Sequence, residues 1–324
     1  MLLYSILKYP AKLALLFYCR NISINKKEIL KSNGPILIAA NHPNSFLDAV
    51  ILATLFEKPV YALARGDVFV NRFVRFLLRS LRILPVYRIS EGSENLNHNY
   101  HTFSECREIF KKNGIVLIFS EGLCLNEWRL RKLKKGTARL ALSSWEEGID
   151  LTILPIGINY HSFSSFGKNV KIQIGKSFNR NDLQIETYNG NAIVAFNKKL
   201  ETELNPLVDQ INAEDTQMIK NIFLPDEEKK SNHTFLRMPG ILGKIIHYPF
   251  YAPILYTVKN KAKKSVHFDS ILTGILFFTY PILLGTIAML VFYFFGGLYW
   301  LIPLIVMPFL AWTYIQTKKQ YFGR

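Results

Sequence analysis

The chain has 324 residues, a formal net charge of +16, 49% hydrophobic and 14% aromatic residues. That length can bury a substantial core, and that apolar content argues against a disordered chain. The positive charge calls for a partner carrying negative charge: nucleic acid, anionic lipid or a phosphorylated substrate. Cys19, Cys106 and Cys124 are widely spaced with no CxxC pair, which argues against a disulfide framework or a zinc site and for a reducing compartment.

Residues 1–29 begin with Leu2, Leu3, Ile6, Leu7, Leu13, Leu16 and Phe17, interrupted by Lys8, Pro10 and Lys12. No small-residue cleavage site follows, so the pattern reads as an amphipathic helix in a membrane interface rather than a signal peptide. An ordinary packed first helix fits the same spacing. Apolar runs then predict strands at Ile36–Ala40, Val60–Ala64, Ile83–Tyr87, Ile115–Ser120, Leu151–Asn159 and Val170–Ile174. Helical patterns lie between them, near 46–56, 68–81, 99–112 and 134–147. Alternating strands and helices predict an α/β layered domain over 30–235 with a largely parallel sheet flanked by helices. Its core is 30–180, followed by a more polar helical extension over 181–235.

Helix 68–81 carries Arg72, Arg75, Arg79 and Arg82 at steps of three, four and three, which places them on one face. That face is either simply solvated or meets anionic headgroups or phosphates. Residues 236–269 are apolar and aromatic but interrupted by Pro239, Pro249 and Pro253, and read as a membrane-surface connector. From Ser270 to Thr317 no Asp, Glu, Lys or Arg occurs. A span needs about 20 residues, so 270–317 reads as a two-helix transmembrane hairpin turning at Gly296-Gly297. The second segment, with Pro303 and Pro308, is short enough to be bent or re-entrant. Lys259, Lys261, Lys263 and Lys264 precede the run, and Lys318, Lys319 and Arg324 follow it. Basic residues on both flanks put both hairpin ends, with the 30–235 domain, on the cytoplasmic side.

Candidate chemistry starts at Ile36–Asp48, ILIAANHPNSFLD. His42 falls at a strand-to-helix turn and Asp48 in the first helical turn, where imidazole and carboxylate can meet beside free backbone N–H groups. Such a pair, with donors nearby, suits acyl transfer to a hydroxyl. Ser45 and Asp48 equally match a helix capping box. Arg88, just past a strand, is placed to hold a phosphate. Glu121 and Gly122 end another strand, where the acid can accept from hydroxyls and the glycine lets substrate approach the backbone. Arg129, Arg131, Lys132, Lys134 and Lys135 open the next helix, where cations favour a bound anion. Pro155 and Gly157 read as a channel wall.

In order along the chain, these stretches resemble the PlsC-like glycerophosphate and lysophosphatidate acyltransferase family. Asn41, His42 and Asp48 match its first block, Pro85 and Arg88 the second. Phe119, Glu121 and Gly122 match the third, with Ser120 in place of a proline, and Pro155 and Gly157 the fourth. The resemblance covers about residues 30–180. It implies transfer of a fatty acyl chain from acyl-CoA or acyl-carrier protein to a hydroxyl of glycerol-3-phosphate, lysophosphatidate or a related lysolipid. His42 would be the general base oriented by Asp48; Arg88 would bind phosphate, with Glu121 and Gly122 lining the acceptor site. No metal or organic cofactor is implied, and the partners would be membrane lipids rather than nucleic acid.

Two departures stand out. Five residues separate His42 from Asp48, where the commoner bacterial form has four. Leu123-Cys124 replaces the Thr-Arg that usually follows Glu-Gly, so Arg131 or Lys135 would have to substitute as phosphate ligand. A CoA-independent transacylase or hydrolase using the same dyad, and a non-catalytic membrane adaptor using the arginine face, are the alternative readings.

Overall fold

The computed structural model describes residues 2–87, 96–183, 190–212, 214–223, 234–262 and 265–318. Its centre is β2 (Ile36–Ala40), whose five residues are all buried. Leu37 and Ala39 face one core, Ile36, Ile38 and Ala40 the other, as expected of a strand covered by helices on both faces. The strands β1 (Cys19–Ile24), β2, β3 (Val60–Arg65), β4 (Ile83–Val86), β5 (Ile115–Phe119), β6 (Thr152–Tyr160) and β7 (Lys168–Ile174) form one seven-stranded sheet. Its order is β1-β7-β6-β2-β5-β3-β4. Strands β2 to β6 pair in parallel, as predicted. The β6–β7 pair is antiparallel, because a short loop joins them and leaves no room for a crossover helix.

Strand β1 was not predicted. Cys19-Arg-Asn-Ile-Ser-Ile has no apolar run, and its half-exposed alternation suits an edge strand beside β7. Helices α1 (Leu2–Tyr18) and α2 (Phe46–Leu55) lie together, and α2 packs into the core on one face of the sheet. Helices α4 (Leu96–Lys111), α5 (Lys135–Glu146) and α6 (Gly190–Leu204) contribute to the other, through Cys106, Phe110, Leu140, Trp145, Phe196 and Leu200. The polar extension is therefore part of this core.

Helix α3 (Arg72–Ser80) is shorter than predicted. Arg82 lies beyond it at φ +61, with its guanidinium against the rings of Tyr4 and Tyr61. Arg79 pairs with Glu105 at 2.9 Å. The expected four-arginine face is thus reduced to Arg72 and Arg75, with Arg79 engaged by a carboxylate, because the positive φ at Arg82 turns the chain out of the helical path.

Helix α7 (Thr216–Phe223) closes the domain, packing Ile219 and Phe223 into its core. Residues 236–269, expected as a proline-broken connector, are mostly one helix, α8 (Thr234–Ala262), with Pro239, Pro249 and Pro253 inside it. A proline removes one backbone donor and disturbs the turn before it, but tertiary packing can override that cost. Here α8 packs along α10 (Leu301–Thr317), with Gly240 and Gly243 facing Thr313, Thr317 and Leu310. Between them in the chain, α9 (Phe268–Phe295) is long and apolar enough to cross a membrane, and most of its surface is uncovered. At 17 residues, α10 is shorter than the roughly 20 that a straight span needs. The turn between α9 and α10 contains Gly296 and Gly297, both at positive φ, as the sequence suggested.

Gly157 lies on β6 where the chain at Leu207 crosses the sheet. A Cβ there would collide with the Leu207 carbonyl oxygen, so the glycine serves packing rather than a channel wall. Gly157→Ala is expected to cost about 1–3 kcal/mol of stability by overpacking. A thermal unfolding midpoint equal to wild type would show that the 205–208 segment is free to move away.

Candidate active site

The turn that carries His42 is held at both ends by buried polar side chains. Leaving β2, Asn41 accepts from the Ile158 N–H at 2.7 Å and donates to the Ile158 carbonyl at 3.0 Å, tying the turn to β6. His42 comes next and exposes 19% of its side chain. Its Nδ1 lies 2.8 Å from Asp48 Oδ2, in the first turn of α2. Asp48 is fully buried and has two further donors: the Asn44 N–H at 2.8 Å and the Tyr160 hydroxyl at 2.7 Å. A buried carboxylate needs such partners. With Nδ1–H donating to Asp48, Nε2 keeps the lone pair and is the basic nitrogen. The imidazole stacks on Phe119 with ring centroids 3.8 Å apart and planes 6° apart, which fixes the ring plane.

Ser45 is the N-cap of α2 by position, but its hydroxyl makes no cap bond. It sits at φ +52 and its Oγ lies 2.5 Å from His267 Nδ1. The expected capping box is absent, because Asp48 is taken up by His42, Asn44 and Tyr160.

Glu121 follows β5 and is buried. Its Oε2 accepts from the His42 N–H at 2.9 Å and its Oε1 from the Arg131 N–H at 2.8 Å. Burial pushes its carboxyl above the usual range, and the two backbone donors pull the other way. Glu121 therefore holds the backbone of the histidine turn, with one backbone donor on each of its oxygens. Glu121→Gln places an amide N–H against one of those donors, at an expected cost of about 1–3 kcal/mol. A parallel fall in kcat is expected, and an enzyme with unchanged kcat and unfolding midpoint would refute the anchoring role.

This arrangement has an imidazole oriented by a carboxylate at the carboxyl end of a central parallel strand, where ligands gather in α/β sheets. It can remove a proton from a hydroxyl. Residues 21–159 match the protein-family model Acyltransferase. That segment is an acyltransferase domain. Among solved structures, the chain is similar to the 1-acyl-sn-glycerophosphate (LPA) acyltransferase PlsC from Thermotoga maritima. The two are 15% identical with a TM-score of 0.44, over 61% of this chain and 75% of the other. No curated protein sequence matches the chain.

His42, Asp48, Glu121 and Gly122 all lie inside the acyltransferase domain as matched, and Tyr160 is the first residue beyond it. Gly122 takes φ +62 in the turn after β5, a backbone state that favours glycine. Arg131 supplies its backbone to Glu121, while its guanidinium pairs with Glu127 at 3.1 Å. Lys135 is exposed in the first turn of α5. Arg88 lies outside the described residues. Cys124 accepts from the Ser45 N–H, and burial pushes its thiol up to about 12, which leaves it no nucleophilic thiolate. Among the described residues, no cluster of His, Cys, Asp or Glu is placed to hold a metal.

Neither Asn44 nor Tyr160 was read from the sequence as part of the site. Asn44 fell inside the motif, where its residue type suits a helix cap. Tyr160 lay just past the predicted strand Leu151–Asn159, with nothing local to tie it to Asp48.

Proposed function

We propose that the protein transfers a fatty acyl chain from acyl-CoA or acyl-carrier protein to a hydroxyl of glycerol-3-phosphate, lysophosphatidate or a related lysolipid. The observation that carries this reading is the 2.8 Å contact between His42 Nδ1 and buried Asp48 within the acyltransferase domain. His42 Nε2 takes the acceptor's hydroxyl proton as that oxygen attacks the thioester carbonyl carbon. A carbon–oxygen bond forms, the tetrahedral intermediate collapses, and the carbon–sulfur bond breaks. The departing thiolate then recovers the proton from the imidazolium. Asp48 keeps Nδ1 protonated throughout and stabilises the imidazolium.

The acceptor would be met at a membrane. Exposed Leu2, Ile6, Leu13 and Leu16 on α1, and the uncovered apolar surface of α9, support that placement. Both ends of the α9–α10 pair contact the catalytic domain. Asn44 donates to Asp269 at the start of α9, and Lys318 donates to the Phe166 carbonyl just past α10. A return through α10 therefore keeps Lys259, Lys261 and Lys318 with the domain, on the cytoplasmic face under the positive-inside rule. For the acceptor's phosphate, Lys135 is the better placed of the two candidate cations, since the Arg131 guanidinium already pairs with Glu127. Lys135→Glu should raise acceptor KM with little change in kcat; an unchanged KM removes Lys135 from the phosphate site.

The test uses purified protein, labelled acyl-CoA and acyl-carrier protein, and a panel of glycerol-phosphate and lysolipid acceptors, with His42→Ala as control. Transfer that depends on thioester and on His42 is expected. Acyl scrambling between phospholipids without thioester would instead establish a transacylase.

A further inference from the structure

The first turn of α9 lies more than a hundred residues beyond the acyltransferase domain, yet it is clamped to the catalytic turn. Asp269 is fully buried. Its Oδ2 accepts from Asn44 Nδ2 at 2.6 Å, its Oδ1 accepts from the Tyr18 hydroxyl at 2.6 Å, and it pairs with the ammonium of Lys168, also fully buried. Beside it, His267 meets the Ser45 hydroxyl, and Ser270 Oγ accepts from the Leu47 N–H at 3.3 Å. Three of the four residues from 267 to 270 thus touch residues 44–47.

Asn44 is the link. Its side chain is held by Asp269, and its backbone N–H donates to Asp48 Oδ2, the oxygen that also receives His42 Nδ1. Turning the Asn44 peptide would withdraw that donor and free the carboxylate to rotate away from the imidazole. A buried ion pair is weak support for stability, since apolar residues of like volume often serve as well. Its use here is orientation of the turn that carries the base.

We propose that Asp269 is a positioning residue for the His42–Asp48 pair, acting through Asn44, so that α9 completes the active site as well as any membrane anchor. The proposal rests on the reading of His42 as the base.

The test compares the full-length enzyme with Asn44→Ala, Asp269→Asn and the double variant, reading kcat, both KM values and the unfolding midpoint. Each single change should lower kcat by about 10- to 100-fold, as misplacement of a catalytic group does, with both KM values unchanged. The double variant should lose no more than the worse single one, because the two residues act in series. Losses that multiply, losses confined to KM, or single variants with wild-type kcat would overturn the proposal. Asn44→Ala leaves Asp269 paired with Lys168 and Tyr18, so it decides the matter alone if Asp269→Asn does not fold. An active His42→Ala enzyme marks failure of the underlying mechanism; an inactive one beside fully active Asn44→Ala and Asp269→Asn marks failure of this proposal only.

Discussion

Replacing His42 by alanine is expected to lower kcat by about 10²–10⁴, the usual contribution of a general base. The change should spare the fold. The His42 side chain is partly exposed, and its backbone bond to Glu121 and the Asn41 clamp remain after truncation. The cost in packing is confined to the ring face on Phe119. Initial rates with labelled acyl donor, beside an unfolding curve, check both halves. A folded His42→Ala enzyme with wild-type kcat would sink the mechanism.

Asp48→Asn is expected to be at least as damaging to rate, and unlike His42→Ala it should also destabilise the protein. All three partners of Asp48 are donors: His42 Nδ1–H, the Asn44 N–H and the Tyr160 hydroxyl. An asparagine offers one acceptor oxygen, and its amide N–H₂ must face either the Tyr160 hydroxyl or the Asn44 and His42 donors. If it faces His42, the imidazole switches tautomer, its proton moves to Nε2, and the base is lost. The corresponding substitution in a serine-protease triad costs on the order of 10⁴ in kcat. The unmet backbone donor adds an expected loss of about 1–3 kcal/mol. Near-normal kcat in Asp48→Asn would mean that the imidazole is oriented by Phe119 stacking alone.

Local features of the fold were legible because they depend on short-range periodicity. Ile36–Ala40 reads as a buried strand since every residue is apolar, and the structure covers it on both faces. The Gly296-Gly297 turn was legible for a related reason: both residues adopt positive φ. Errors arose where neighbours outweighed the local pattern. Cys19–Ile24 lacks an apolar run and forms a strand only because β7 offers it an edge. The three prolines of α8 looked like breaks, but packing on α10 keeps the helix continuous. Ser45 and Asp48 matched a capping box, yet their side chains were drawn to His267 and to His42, Asn44 and Tyr160.

Within the site, the sequence alone determined the candidate pair. His42 and Asp48 are close along the chain, and a strand-to-helix turn at their spacing leaves few ways to keep them apart. It also placed Glu121 at the end of a neighbouring strand. Only the tertiary structure decided what these residues do to one another. It showed that Glu121, expected at the acceptor site, anchors the histidine backbone. It brought Tyr160 to Asp48 across 112 residues and Asp269 to Asn44 across 225. Contacts at such separations leave no periodic trace, because they depend on strand order and on where a distant helix begins.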